Sequence, residues 1–379
     1  MYSTEALSSG VLDIILYITL GIFVIGVIIK LVQWFSLNVG ISDKQVSGGA
    51  RFGSGIGAVF KTIFSGRLIG FIKVLIVDVV FQLRILKDKK DGLVWVMHVL
   101  MFLGFMGLVI FHALDNIDSD YGSTVAPWRL LRNVFGLAAL VGLILAMVRR
   151  FSTMKDQIKT TGRDVYAIVI IAVILLTGFC LESIKLTSYS DYKRMEDEFL
   201  GEEDKNLEAY WVKDFSVVSP NAASLGDADM AAGKEMHDSA CADCHTAPSS
   251  AFVSYGIAQI TKPAALSLDK LKNTIWVIHI VAVLLGLALL TFTKMFHILS
   301  TPISLIVAEV TRGKGSDAEI ATRQVVELDG CSHGGLCREE CPVRVKRQER
   351  IDEMEPFGAV FEHVGKKSGS DLGNRTPAG

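Results

Sequence analysis

Long runs of apolar residues alternate with polar stretches along this chain. Five runs are long enough to cross a bilayer, because a hydrocarbon core of about 30 Å needs about 20 apolar residues in a helix. The five predicted spans are residues 11–35, 93–113, 130–148, 165–181 and 274–293. A sixth run, 68–83, is shorter and carries Lys73 and Asp78. We therefore predict an all-α integral membrane protein with five spans and a helix over about 68–90 that lies in the membrane interface.

Composition and charge agree with a membrane protein. Half of the 379 residues are hydrophobic and 21% are charged, which is too little charge for the surface of a soluble chain of this length. The formal net charge is −2 and no nucleic-acid recognition motif is found, so no nucleic-acid partner is expected. The first eleven residues contain no Lys or Arg, and we expect no cleaved signal peptide.

Lys and Arg in the loops predict the orientation. Residues 34–92 contain nine, loop 149–164 contains five and the segment after 298 contains eleven, whereas loop 114–132 contains two. Since loops rich in Lys and Arg stay in the cytoplasm, we predict an outer N-terminus and a cytoplasmic C-terminus in a bacterial inner membrane. The predicted organisation is a membrane region over residues 1–183, a periplasmic segment 184–271, the fifth span 272–300 and a cytoplasmic tail 301–379.

Four of the eight histidines belong to two predicted spans, His98 and His112 to the second, His279 and His297 to the fifth. In an α-helix, fourteen positions return to within about 40° of the same face, and eighteen return to it. Because the two spans run in opposite directions, His112 and His279 pair near the outer surface and His98 and His297 near the inner one. Two facing imidazoles at one depth suit bis-histidine haem b. We predict two haems b; the alternative is interhelical hydrogen bonding or a proton path.

A covalent haem is predicted outside the membrane. Cys241-Ala-Asp-Cys244-His245 matches the attachment sequence of haem c, in which two cysteines form thioethers and the histidine is the proximal ligand. The motif falls in the predicted periplasmic segment, the side on which bacteria attach haem c. The alternative is a redox or zinc CxxC pair. The distal ligand is left open between a partner subunit and three preceding residues: Met230, Met236 and His237.

The predicted cytoplasmic tail contains three cysteines, Cys331, Cys337 and Cys341, the last followed by proline as in ferredoxin-type clusters. Three thiolates are one short of a [4Fe–4S] set, so the fourth iron–sulfur ligand would be His333 or a partner's group. The alternatives are a docking tail and a zinc site that uses the same three cysteines and His333. Cys180 stands alone in the fourth span, where we expect it only to pack.

These features together resemble the membrane cytochrome b subunits of the nitrate reductase gamma-subunit-like family. The branch linked to sulfite reductase and to heterodisulfide-reductase-like complexes is favoured by the wide gap between the second-span histidines. The resemblance covers roughly residues 10–185 and 272–300, whereas the haem c segment and the cysteine tail lie outside the family core. It rests on the fifth-span histidine spacing and on three segments, Asp78-Val-Val-Phe-Gln82-Leu-Arg84, Trp95-Val-Met-His98 and Phe102-Leu-Gly104-Phe105.

The resemblance implies two haems b, with quinol oxidised near the outer one. We expect the haem-bearing subunit of a respiratory, quinone-linked oxidoreductase complex that serves anaerobic respiration. Electrons would pass between menaquinol, a periplasmic multihaem cytochrome c and a cytoplasmic iron–sulfur reductase-like subunit, in a direction that the sequence leaves open. Membrane lipid and further membrane subunits are the other expected partners.

Three carboxylates at outer span ends are candidates for the quinol proton acceptor: Glu182, Asp115 and Asp118. The alternative for each is an ordinary interfacial carboxylate. For the whole protein, the alternative function is a haem-based sensor or a membrane anchor without quinone turnover.

Overall fold

The computed structural model describes residues 9–37, 46–65, 67–87, 92–117, 124–153, 160–201, 203–311 and 316–329. In these ranges all regular structure is helical, with short 3₁₀ and π-helical turns between α-helices. The helices are α1 (Ser9–Ser36), α2 (Gly48–Ile63), α3 (Arg67–Val74), α4 (Gly92–Ile117), α5 (Ala126–Val148), α6 (Gly162–Thr187), α7 (Tyr189–Phe199), α8 (Lys205–Asp214), α9 (Asp227–Ala240), α10 (Phe252–Thr261), α11 (Ala265–Ala288), α12 (His297–Val310) and α13 (Asp317–Asp329).

Five segments of the described chain are long and apolar enough to cross a membrane, and they confirm the predicted number of spans. Apolar side chains such as Ile14, Tyr17 and Ile18 of the first span are largely exposed on the isolated chain, as expected of a surface that faces hydrocarbon. The five segments are Gly10–Ser36, Gly92–Leu114, Ala126–Ser152, Gly162–Thr187 and Phe252–Ala288.

The helix of the fifth span, α11, begins at Ala265 and ends at Ala288, whereas the predicted span is residues 274–293. Helix α11 ends at Ala288, and two 3₁₀ turns follow before α12 begins at His297. Thr293 adopts an extended conformation there, and its hydroxyl lies 3.4 Å from both the Leu290 carbonyl oxygen and the Met295 amide nitrogen. This side chain competes for backbone hydrogen bonds that a helix would use. The face argument for His279 and His297 assumed a continuous helix and is wrong in that assumption.

The predicted interfacial helix over 68–90 is also interrupted. Helix α3 ends at Val74, a π-helical turn covers Leu75–Val80, and a 3₁₀ turn covers Leu83–Lys87. Gln82 between the two turns has a positive φ of 52°, a conformation that an L-residue rarely adopts. The stretch is therefore helical in short pieces.

The chain divides into two compact units. The first contains Met1–Lys30 and Thr62–Met295, and its spans pack closely where glycine replaces a side chain. A Cβ atom at Gly104 of α4 would fall 2.6 Å from the Phe135 carbonyl oxygen of α5, and one at Gly142 would fall 2.9 Å from the Met97 carbonyl oxygen. Small residues let membrane helices approach in this way.

Between α6 and α11, the first unit contains a helical segment of α7 to α10, whose last helix opens the fifth apolar segment. We name it the outer segment after the orientation predicted from the sequence. Its core is an aromatic cluster in which the Trp211 and Phe215 rings stack with centroids 4.5 Å apart. Gly233 of α9 packs on α8 so closely that a Cβ atom would overlap the Asn206 carbonyl oxygen. The buried members of the cluster are Tyr192, Leu207, Trp211, Phe215 and Val217.

The second unit contains Leu31–Lys61 and Phe296–Gly379, described as far as Asp329. Arg51 of α2 is fully buried and donates hydrogen bonds to the backbone oxygens of Trp34 at 2.5 Å and Ala321 at 3.1 Å. The Trp34 indole in turn donates to Asp329 at 2.8 Å. A buried guanidinium satisfied by carbonyl oxygens thus fixes α13 to the end of α1.

Candidate haem-binding sites

The predicted outer histidine pair lies in one unit. His112 of α4 and His279 of α11 are near enough for their charges to interact. The His112 Nδ1 lies 2.8 Å from the carbonyl oxygen of Leu108, one turn earlier. Because a carbonyl oxygen only accepts, Nδ1 is the donor of this hydrogen bond.

The Nδ1 of His279 is bound by a side chain instead of a backbone carbonyl. Its Nδ1 lies 2.8 Å from the Thr177 hydroxyl oxygen of α6, and that hydroxyl donates its single proton to the Val173 carbonyl oxygen at 2.6 Å. The hydroxyl must therefore accept from the Nδ1–H of His279. Gly178 keeps the space beside the ring open, since a Cβ atom there would be 3.5 Å from the His279 Cε1.

These two imidazoles fit the donor chemistry of haem b. Iron is bound by a neutral imidazole nitrogen, and metal-bound histidines usually donate their other N–H to a carbonyl or another fixed acceptor. The second condition is met at His112 and His279, whose Nδ1 atoms bind the Leu108 carbonyl oxygen and the Thr177 hydroxyl. Two such rings could serve as the axial ligands of one haem.

The predicted inner pair is divided between the two units. His98 is a half-buried residue of α4 in the first unit, and His297 is a half-buried first residue of α12 in the second. His98 shares the unbroken helix α4 with His112, so the one-face argument for those two histidines keeps its premise. An inner haem b on His98 and His297 stays a prediction.

The cysteine motif forms a helical turn directly after α9. The Cys241 carbonyl oxygen accepts from the backbone N–H of Cys244 at 3.2 Å and of His245 at 2.9 Å. Both cysteines are free thiols and half-buried. Burial, with the neighbouring Cys244, raises the pKa of the Cys241 thiol.

His245 points into the aromatic cluster, with its ring centroid 5.1 Å from that of Trp211. Burial, then the charges of Arg129 and His237, lowers its pKa to about 4. The ring is therefore neutral at pH 7, which an iron ligand requires. Two polar atoms near it, the Trp211 Nε1 and the His237 Nδ1, are buried without a hydrogen-bond partner in the described chain. Unpaired thiols, a neutral histidine and orphaned polar atoms fit an attached haem.

The three candidates for the distal ligand differ in their surroundings. His237 is 4% exposed, its ring centroid lies 4.7 Å from that of Phe215, and burial lowers its pKa. Met236 packs against the aromatic cluster, and Met230 is half-buried in α9. His237 is the candidate whose Nδ1 is buried and has no hydrogen-bond partner in the described residues.

The motif is held against the start of α5. The Thr124 hydroxyl donates to the Cys244 carbonyl oxygen, and the Thr246 amide donates to the Thr124 carbonyl oxygen at 3.4 Å. Arg129 donates from Nη1 to the Thr246 carbonyl oxygen at 2.9 Å. Contacts on both sides of His245 thus join the outer segment to the third span.

Glu182, a candidate proton acceptor, is held in a polar network at the end of α6. One carboxylate oxygen accepts from Arg132 at 2.9 Å, and the other accepts from Asn133 at 2.8 Å and Ser254 at 2.5 Å. The Asn133 side chain is fully buried and accepts from the first backbone N–H groups of α10. The network ties α5, α6 and α10 together.

The other predicted residues have less structural context. Asp115 belongs to the last turns of α4, and Asp118 lies outside the described residues. Cys180 is an exposed residue of α6. Within the described ranges, no three His, Cys, Asp or Glu side chains converge on a point that could hold a bare metal ion. The proposed tail ligands lie outside the described residues: Cys331, His333, Cys337 and Cys341.

Sequence reasoning missed the groups that hold the candidate ligands. Thr177 is 102 residues from His279, and Arg129 is 117 residues from Thr246. An apolar span that contains one threonine, or a span end that carries an arginine, gives no sign of such a partner. These partners can be identified only when it is known which helices pack against each other.

Comparison with known proteins gives two kinds of relative. The E subunit of dihydromethanophenazine:CoB–CoM heterodisulfide reductase from Methanosarcina thermophila is 29% identical over 187 residues, 44% of this chain and 69% of that protein. The Methanosarcina acetivorans protein of the same description is 26% identical over 202 residues, 48% of this chain and 75% of that protein. An EtfAB:quinone oxidoreductase from Syntrophomonas wolfei is 20% identical over 286 residues, 69% of this chain but 33% of that protein.

No family model and no solved structure matches the chain. The chain is thus similar to a heterodisulfide reductase subunit, which agrees with that portion of the predicted resemblance. The likeness to the nitrate reductase gamma subunit stays a prediction.

Proposed function

We propose that this chain is the haem-bearing membrane subunit of a quinone-linked oxidoreductase complex in a bacterial inner membrane. The observation that carries the proposal is the His112 and His279 pair, because the Nδ1 of each ring is hydrogen-bonded within the spans, as the second nitrogen of a haem-ligating histidine usually is. The similarity to a heterodisulfide reductase subunit and to a quinone oxidoreductase supports electron transfer as the task.

Each predicted set of ligands would hold one haem. His112 and His279 would hold an outer haem b, His98 and His297 an inner haem b, and the Cys241 motif with His245 a covalent haem c. Haem accepts and donates single electrons. The chain's own groups fix the imidazole tautomers, keep His245 neutral and bury the motif beside Trp211.

The proton released by quinol needs an acceptor near the outer pair. Glu182 would have to give up hydrogen bonds from Arg132, Asn133 and Ser254 to take it. Its place in that network favours a structural role, which leaves Asp115 and Asp118 as the candidates. A Glu182→Gln variant that keeps quinol oxidation would support this division.

The partners follow from the predicted orientation. A periplasmic multihaem cytochrome c would meet the haem c segment, and a cytoplasmic iron–sulfur subunit would meet the tail. The three tail cysteines, Cys331, Cys337 and Cys341, would complete an iron–sulfur cluster with His333 or with a group of that subunit. Electrons would pass between these partners through the haems and menaquinol.

Anaerobic addition of a reduced menaquinone analogue to the purified chain tests the proposal. We expect the α-bands of haem b to appear within seconds to minutes, and a His112→Ala control, which removes one ligand of the outer haem, to lose most of the fast phase. The proposal would be contradicted if dithionite reduced the haems but the quinol did not. That result would favour the alternative of a haem-based sensor or membrane anchor.

A further inference from the structure

Arg129 is a buried cation beside the cysteine motif. It is 8% exposed and lies in the first turn of α5. Its Nη1 donates to the carbonyl oxygen of Thr246, the residue after His245, at 2.9 Å. The guanidinium is therefore held within electrostatic reach of the proximal histidine.

The charges around Arg129 do not balance. Glu182 is the carboxylate that acts on it electrostatically, but both Glu182 oxygens are already taken by Arg132, Asn133 and Ser254. Two guanidiniums thus share one carboxylate. In the portion of the chain that the structure describes, no carboxylate lies within ion-pair distance of Arg129. A buried cation without a bonded anion is costly, so the site calls for an additional negative group.

The position of Arg129 is fixed relative to the motif. Thr124, five residues before it, accepts from the Thr246 amide and donates to the Cys244 carbonyl oxygen. The Asn133 side chain donates to the Arg129 carbonyl oxygen at 3.0 Å. Hydrogen bonds therefore join Arg129 to the attachment turn, so a group attached at Cys241 and Cys244 would lie near the guanidinium.

We propose that Arg129 is a haem c-binding residue whose guanidinium takes a propionate carboxylate of the porphyrin as its counter-ion. The inference rests on the proposed covalent haem at Cys241, Cys244 and His245. Arginine pairs strongly with carboxylates because its planar N–H groups match two oxygens. A fixed positive charge near the iron also favours the reduced state, which has one positive charge fewer, so Arg129 raises the reduction potential of haem c.

Redox titration of the intact purified protein tests this role. Arg129→Gln is expected to shift the haem c midpoint potential downward and to leave the haem b midpoints unchanged. Arg129→Lys, which keeps the charge, should shift it less. Lys213→Gln is the matched control, because it removes the same charge from an exposed site on α8 where solvent screens it; we expect no shift.

An Arg129→Gln protein that keeps its covalent haem and the original midpoint would overturn the inference. If Arg129→Gln no longer attaches haem, Arg129→Lys decides: retained covalent haem supports the charge role, and loss overturns it. An Asp118→Asn variant whose midpoint rises as far as that of Arg129→Gln falls would also overturn it, because the counter-ion would then be Asp118. Unaltered protein without covalent haem would instead contradict the proposed function, so haem content is measured first.

Discussion

The spans and the outer segment hold their candidate iron ligands in different ways. In the spans, the Nδ1 of His112 binds the Leu108 carbonyl oxygen and the Nδ1 of His279 binds the Thr177 hydroxyl. In the outer segment, His245 is held through the backbone of its turn and through an aromatic wall. The difference follows from the solvent: a polar N–H in hydrocarbon must find its partner within the bundle, whereas a segment in water can build a core and bury charge beside it.

Packing differs in the same sense. The spans approach through glycines such as Gly104, because apolar area gives no driving force between helices in lipid. The outer helices instead bury the Trp211 and Phe215 rings, which the hydrophobic effect rewards in water. Substitutions in the spans should therefore affect haem b and the packing of membrane helices. Substitutions in the outer segment should affect haem c and the stability of the aromatic core.

The largest effect is expected from removing a span ligand. His279→Ala should eliminate the outer haem b and reduce acid–acetone-extractable haem to about half, while covalent haem stays unchanged because its site is built separately. Pyridine haemochrome spectra of both fractions measure this. Equal losses of extractable and covalent haem would contradict the separation of the two regions.

A smaller effect is expected from removing the acceptor of the His279 proton. Thr177→Val keeps the shape of the side chain but frees the Nδ1, and loss of such a partner commonly weakens metal binding about 10- to 100-fold. Haem b retention during stepwise detergent washing measures the loss. Thr177→Ser keeps the hydroxyl and should retain haem like the unaltered protein; a Ser variant as weak as the Val variant would show that packing matters instead.

Glycine substitutions compare a tight site with an open one in the outer segment. Gly233→Ala would place a methyl group against the Asn206 carbonyl oxygen and should destabilise the segment by about 1–3 kcal/mol. Gly256→Ala meets nothing within 4 Å and should be neutral or stabilise the segment by up to about 1 kcal/mol. The loss of near-UV circular dichroism of the aromatic cluster on heating measures both changes. Equal melting temperatures for Gly233→Ala and Gly256→Ala would contradict the close packing of α9 on α8.

The smallest effect is expected at Cys180. This thiol is exposed on α6, where we expect it to meet lipid, and no ligand role is proposed for it. Cys180→Ala should leave the haem content and the quinol-dependent reduction unchanged. A changed haem b spectrum would instead place Cys180 next to a cofactor.

Much of the architecture could be predicted from local sequence. Hydropathy alone gives the five spans, because a lipid-facing helix must be apolar along its whole length. The His98 and His112 register survives since α4 is unbroken. The premise of the His279 and His297 register, one continuous helix, does not hold because α11 ends at Ala288 and Thr293 is extended. A single threonine in an apolar run is a weak signal of such a break.

The supporting groups could not be predicted in the same way. Thr177 and Arg129 act on residues more than 100 positions away, and their roles depend on which spans are neighbours. Glu182 is identifiable by its position at a span end, but its two engaged oxygens follow from the packing of α5, α6 and α10. Residue type and spacing specify the ligands, whereas tertiary packing specifies what holds them.

The stoichiometry of haem in the purified protein tests the central claim most directly. Acid–acetone extraction separates haem b from covalent haem, and pyridine haemochrome spectra count each per chain. We predict two extractable haems b and one covalent haem c, the latter absent from a Cys241→Ala, Cys244→Ala double variant that keeps its haems b. A chain without extractable haem would mean that the four span histidines bind no iron, and the account of quinol-linked electron transfer would be contradicted.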